Sequence, residues 1–104
     1  DGSLGWSGLA DFAEKNLPEK DVKNFLLLSR DSICGGGLLS DPVKLDRDAC
    51  KSAGSTDIDW RTRLAESDSG RAVLDAVSTE LSAGTQVQSL EAIGKALCRV
   101  NTDD

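Results

Sequence analysis

Apolar residues in this chain recur at intervals of three and four, and the runs that carry them are separated by glycines or by Ser, Thr and Asp at positions suited to helix caps. That spacing belongs to helices with one buried face, whereas a half-buried strand alternates in twos. The chain is therefore expected to be all-α, a compact single-domain bundle of about five to six short helices over residues 1–104, with 1–4 and 101–104 frayed.

Taken in order, Trp6, Leu9, Ala10 and Ala13 form the stripe of a first helix ending near Asn16. Pro18 suits the first position of a second helix, with Glu19 and Asp21 in the turn where carboxylates complement the helix dipole. This helix should run to about Ser32. Val22, Phe25, Leu26 and Ile33 mark its face, and Leu27 and Leu28 widen the stripe enough to predict a central helix. The triplet Gly35-Gly36-Gly37 should stop it, because glycine readily adopts the left-handed conformation that ends helices. Ser40-Asp41-Pro42 repeats the start signal for a short third helix through Lys51, closed by Gly54. Thr56 and Asp57 can cap a fourth, carrying Ile58, Trp60 and Leu64, and Ser67-Asp68-Ser69 caps the next. From Gly70 to Ala83, Val73, Leu74, Val77 and Leu81 share one face, and Gly84 closes that helix. Thr85 and Gln88 have capping-box spacing for the last one, whose core side is Leu90, Ile93, Leu97 and Val100.

The chemistry is bounded first by an absence: there is no His among the 104 residues. Ser-His and Cys-His nucleophile pairs are excluded with it, as are the commonest zinc ligands. Three cysteines without a C-x-x-C pair make a poor metal site, and no metal or cofactor is expected. Gly5-Trp6-Ser7-Gly8 places a serine between glycines, but a nucleophile elbow joins a strand to a helix and needs a His elsewhere. Asp31-Ser32-Ile33 is similar to the carrier site of acyl carrier proteins; there the serine opens a helix, whereas Ser32 closes one. The carboxylate pairs Asp46/Asp48 and Asp57/Asp59 sit two apart, a spacing that points helical side chains in different directions, so capping and surface roles account for them better than glycoside chemistry. The glycine triplet follows a helix, lacks the Lys of a phosphate loop, and reads as a hinge. No catalytic residue is assigned and the chain is not expected to be an enzyme.

Twelve Lys and Arg against eighteen Asp and Glu give a net charge of −6, with the cations scattered singly, which argues against nucleic acid as a partner. No apolar run is long enough to span a membrane. The chain opens at Asp1 and contains no Met, which points to a mature secreted chain from which a signal peptide has been removed. In an oxidising compartment Cys34 and Cys50, flanking the loop and short third helix, form the expected disulfide, worth roughly 3 kcal/mol through loop closure. Cys98 is then left as a free thiol or as an interchain bond, and pairing of Cys98 with Cys34 or Cys50 is the remaining alternative. The expectation is a secreted interaction protein acting by binding, such as a processed toxin subunit or effector, its partner a protein or the second chain of a processed precursor. The alternative is a cytoplasmic acidic inhibitor or immunity-type protein directed at a basic enzyme.

Overall fold

The computed structural model describes residues 6–37, 39–51 and 59–103. Six α-helical segments are present among them: α1 Trp6–Asn16, α2 Glu19–Cys34, α3 Arg47–Cys50, α4 Trp60–Leu64, α5 Asp68–Glu80 and α6 Gln86–Val100, with a 3-10 turn Ala83–Thr85 leading into α6. The all-α expectation holds for one compact globule, with 74% of the described residues helical. The predicted frayed residues 1–4, Gly54, and the predicted caps Thr56 and Asp57 with Ile58 lie outside the described residues.

The core is a single cluster. Leu9 of α1, Phe25 and Leu28 of α2, Leu64 of α4, Val73 and Val77 of α5, and Leu90, Ile93 and Leu97 of α6 are all fully buried in it. The helix at the centre is α6 rather than α2: α1, α2, α3, α4 and α5 all pack on it. Its buried surface includes Ser89, Ala92, Gly94 and Ala96, small residues that let neighbours come close on several sides. In α2 only one side is buried, by Asp21, Phe25, Leu28, Ser29, Asp31 and Ser32. Ser29 and Ser32 satisfy their hydroxyls within the helix by donating to the carbonyls of Phe25 (2.8 Å) and Leu28 (2.7 Å), so they add no unpaired polar group to the core. The wide apolar stripe thus overstated its burial, and Leu27 is 38% exposed. Val100 is likewise exposed rather than on the core side.

Several boundaries differ for local reasons. Pro18 precedes α2 in extended conformation, one place before the predicted position. The cap of α4 is Asp59, whose carboxylate accepts from the backbone N–H groups of Arg61 (3.1 Å) and Thr62 (3.4 Å). Ser67 caps α5 as expected, accepting from the Gly70 N–H at 3.1 Å. That helix ends at Glu80, earlier than Ala83, where Leu81 turns extended to bury its side chain. The capping box at Thr85 and Gln88 does not form. Thr85 donates instead to the Ser82 carbonyl (2.9 Å) and to buried Asp21 (3.2 Å), while the Gln88 amide donates to the Asn16 carbonyl (3.4 Å). Asp21 also accepts from the Ser82 N–H at 3.3 Å, so one carboxylate of α2 holds the turn between α5 and α6.

The largest departure lies between α2 and α3. Ser40-Asp41-Pro42 does not start a helix; the chain runs extended to the two-residue strand β1, Leu45–Asp46, before the single turn of α3. The alternation is legible afterwards in Val43-Lys44-Leu45-Asp46, where the apolar residues are buried and the charged ones exposed. β1 pairs in parallel with β2, Thr102–Asp103, with Leu45 opposite Thr102 and Asp46 opposite Asp103. The predicted fraying of residues 101–104 is therefore corrected for 101–103.

The same segments satisfy carbonyls that α2 cannot satisfy itself at its end. Beyond the Asp31 carbonyl, which accepts the helix's own cap bond from the Gly35 N–H (2.8 Å), the Ser32 carbonyl accepts from the Val43 N–H (2.8 Å) and the Ile33 carbonyl from the Asn101 side-chain amide (2.6 Å). The Asn101 carbonyl in turn accepts from the Leu45 N–H at 3.0 Å.

Candidate interaction surface

The three cysteines are arranged differently from the expected pairing. Cys50 is bonded to Cys98, with their Cα atoms 5.5 Å apart and a sequence separation of 48, and Cys34 is a free, exposed thiol. The expected Cys34–Cys50 bond is thus corrected, and Cys98 is neither free nor interchain. The reason lies in the backbone. Pairing of β1 with β2 delivers α3 to the C-terminal end of α6, so Cys50 arrives beside Cys98, while Cys34 ends α2 facing outward. An open recess of about 550 Å³ surrounds the bond, lined by Arg47, Lys51, Arg99 and exposed Val100.

The glycine triplet is a turn closed on itself rather than a loose hinge. Gly36 and Leu39 exchange backbone hydrogen bonds in an isolated antiparallel bridge, and all three glycines have positive φ (82°, 99° and 59°). A Cβ on Gly37 would fall on the carboxylate of Asp31, which is buried beneath the turn and lies 3.5 Å from the Arg30 guanidinium. The triplet therefore stops α2 and packs over its last turn. Ser32, the serine of the carrier-like tripeptide, is fully buried.

The carboxylates singled out by spacing take structural or surface places. Asp59 caps α4, and its pKa is held below the ordinary aspartate value of 3.8, first by the Thr62 hydroxyl, which donates to it at 2.8 Å, and then by the Thr62 and Arg61 N–H groups. Asp57 lies outside the described residues. Asp48 pairs with Lys51 at 3.1 Å on the surface and Asp46 faces solvent from β1. Among the described residues no group of three or more His, Cys, Asp or Glu converges as metal ligands would, and no helix is long and apolar enough to cross a membrane.

What the fold leaves uncovered is the outer side of α2. Glu19, Val22, Lys23, Leu26, Leu27 and Arg30 line a shallow groove of about 510 Å³ there. A second depression, of about 320 Å³, adjoins it at Leu27 and Arg30 and reaches Asn24, Gly37 and Glu80. Val22 and Leu26 are half-buried and Leu27 exposed, flanked by the exposed cations Lys23 and Arg30. The apolar stripe expected to be buried holds in part: Val22 and Leu26 are half-buried and pack against the core, while Leu27 is exposed. Val22, seven residues before buried Ser29, edges the buried face, whereas Leu27, four after Lys23 and three before Arg30, lies on the outer one. No protein-family model, curated protein or solved structure matches this chain.

Proposed function

We propose that this chain is a small secreted helical interaction protein of the toxin-subunit or effector kind, acting by binding rather than by chemistry. The observation that carries this reading is the outer face of α2, where exposed Leu27 and half-buried Val22 and Leu26 line a shallow groove beside Lys23 and Arg30. Apolar surface held in water by a rigid helix costs about 25 cal/mol per Å², which contact with a protein partner recovers. The Cys50–Cys98 bond supports the extracellular part of the reading, since such bonds persist in oxidising compartments.

The test uses protein taken from its native source and alkylated before reduction. The label is expected on Cys34 alone, with Cys50 and Cys98 recovered as a linked pair. In the same background, Leu27→Asp is expected to release the protein that cross-links to the native chain while leaving the circular dichroism unchanged. Labelling of all three cysteines overturns secretion and favours an intracellular acidic inhibitor. A complex that survives Leu27→Asp overturns the assignment of the surface.

A further inference from the structure

Residues 39–51 cross the ends of α2 and α6 with the single turn of α3 as their only helical part. Three buried side chains anchor this strap, Leu39, Val43 and Leu45. Its backbone is held by the bridge from Leu39 to Gly36, by the bonds from Val43 to Ser32 and from Leu45 to Asn101, and by the two-residue pairing of β1 with β2. Meanwhile α1, α2, α4, α5 and α6 pack directly on one another, α2 against α1, α5 and α6, and α4 against α5 and α6. The helices therefore share a core to which the strap adds one side.

The Cys50–Cys98 bond fastens the far end of this strap to α6. Both cysteines are half-buried and both line the open recess beside α3, so an incoming thiolate has a route to the bond, and accessible disulfides are the labile ones. Ordering extended chain costs backbone entropy at every residue, and here three buried apolar side chains and a few hydrogen bonds oppose that cost; the tether at Cys50 lowers it. From these observations we infer that the Cys50–Cys98 bond is a redox latch: a dithiol reductant opens it in the folded protein and frees residues 39–51, while α1, α2, α4, α5 and α6 stay packed. One thiolate of the reductant attacks the sulfur of Cys50 or Cys98, the other cysteine leaves as a thiolate and takes up a proton, and the second thiol of the reductant resolves the mixed disulfide. The protein gains two electrons and two protons as two thiols, and the dithiol ends as its own disulfide. Release uncovers Leu39, Val43 and Leu45 and the helix ends beneath them, an apolar surface that the oxidised protein keeps covered. The latch goes beyond the proposed binding role of α2 and does not depend on it.

The test uses the whole chain with Cys34→Ser, so that no third thiol can re-pair. Treated with dithiothreitol in the absence of denaturant and then alkylated, it is expected to take two labels while its far-UV circular dichroism stays that of a helical protein. Trypsin then reports where the chain has loosened, because Lys44 and Arg47 lie in the strap and Lys23 and Lys95 within α2 and α6. Between Cys34→Ser and Cys34→Ser/Cys50→Ser/Cys98→Ser, cleavage after Lys44 and Arg47 is expected to quicken by about tenfold or more, with Lys23 and Lys95 still protected. Amide exchange on the reduced Cys34→Ser chain gives a second reading with both cysteines in place: the Val43 and Leu45 N–H groups should lose their protection while those in the middle of α5 keep it. A bond that resists dithiothreitol until the helices unfold overturns the latch. Helicity lost on reduction, or Lys23 and Lys95 cut as fast as Lys44, shows that the bond holds the whole bundle and overturns the local release. Cleavage and exchange unchanged in the strap overturn it as well, because 39–51 then stay closed without the bond.

Discussion

Gly94 lies where a side chain would collide with the aromatic ring of Trp60, so the close approach of α4 to α6 depends on the missing Cβ. Gly94→Ala is expected to cost about 1–3 kcal/mol, because the buried ring has no open space to move into, and urea unfolding will measure it. Asp59 shows the other kind of residue effect, an exposed group that matters through its charge. Its carboxyl is held below 3.8 by the Thr62 hydroxyl and then by the backbone N–H groups, so the folded state binds that proton less readily than the unfolded chain. A depressed carboxylate contributes stability above its unfolded pKa and loses it as the pH falls through the lower folded value. Asp59→Ala should therefore lower the melting temperature at pH 7, and the gap to wild type should close in melts taken below the wild-type folded value.

At the scale of an element, α2 separates burial from hydropathy most clearly. Leu28 is fully buried while Leu27, its neighbour, is exposed. Leu28→Ala is expected to cost about 2–5 kcal/mol in chemical denaturation, against less than about 0.5 kcal/mol for Leu27→Ala. The end of the same helix depends on residues far away in sequence. Asn101→Ala removes the donor to the Ile33 carbonyl and leaves a partly buried acceptor unpaired, for an expected loss of about 1–2 kcal/mol. Hydrogen exchange should then quicken at the Leu45 N–H, which is bonded to the Asn101 carbonyl, before it quickens in the middle of α6.

Across the whole molecule, the disulfide links the early half of the chain to its final helix. The closed loop spans 48 positions in sequence, for which the chain-entropy relation gives roughly 4 kcal/mol, more than the shorter Cys34–Cys50 loop would supply. Cys98→Ser should lose about 2–4 kcal/mol under oxidising conditions, and reduction of the wild type should produce a comparable loss. Cys34→Ser should be neutral within about 0.5 kcal/mol, since its thiol is exposed and unbonded. A denaturant series on the wild type and the two serine variants, each with and without reductant, checks all three expectations.

Local rules decided much of this protein. The stop after α2 follows from glycine backbone freedom at Gly35, the start of α5 from the Ser67 hydroxyl, and the buried faces of α5 and α6 from Val73, Val77, Leu90, Ile93 and Leu97 at helical spacing. All of these act within a few residues of chain, where propensity and periodicity operate. The tertiary structure alone decided which apolar face of α2 was buried, because Leu27 and Leu28 are equally hydrophobic and only the placement of α1, α5 and α6 around the helix distinguishes them. It also decided the extended course of Val43-Lys44-Leu45-Asp46 over the apparent cap at Ser40-Asp41-Pro42. The Val43 and Leu45 N–H groups find their acceptors at Ser32 and Asn101, residues no local window connects. The disulfide followed from that pairing: cysteine spacing fixes loop lengths, but which sulfurs meet depends on the backbone that carries them, and here β1 on β2 carried Cys50 to Cys98.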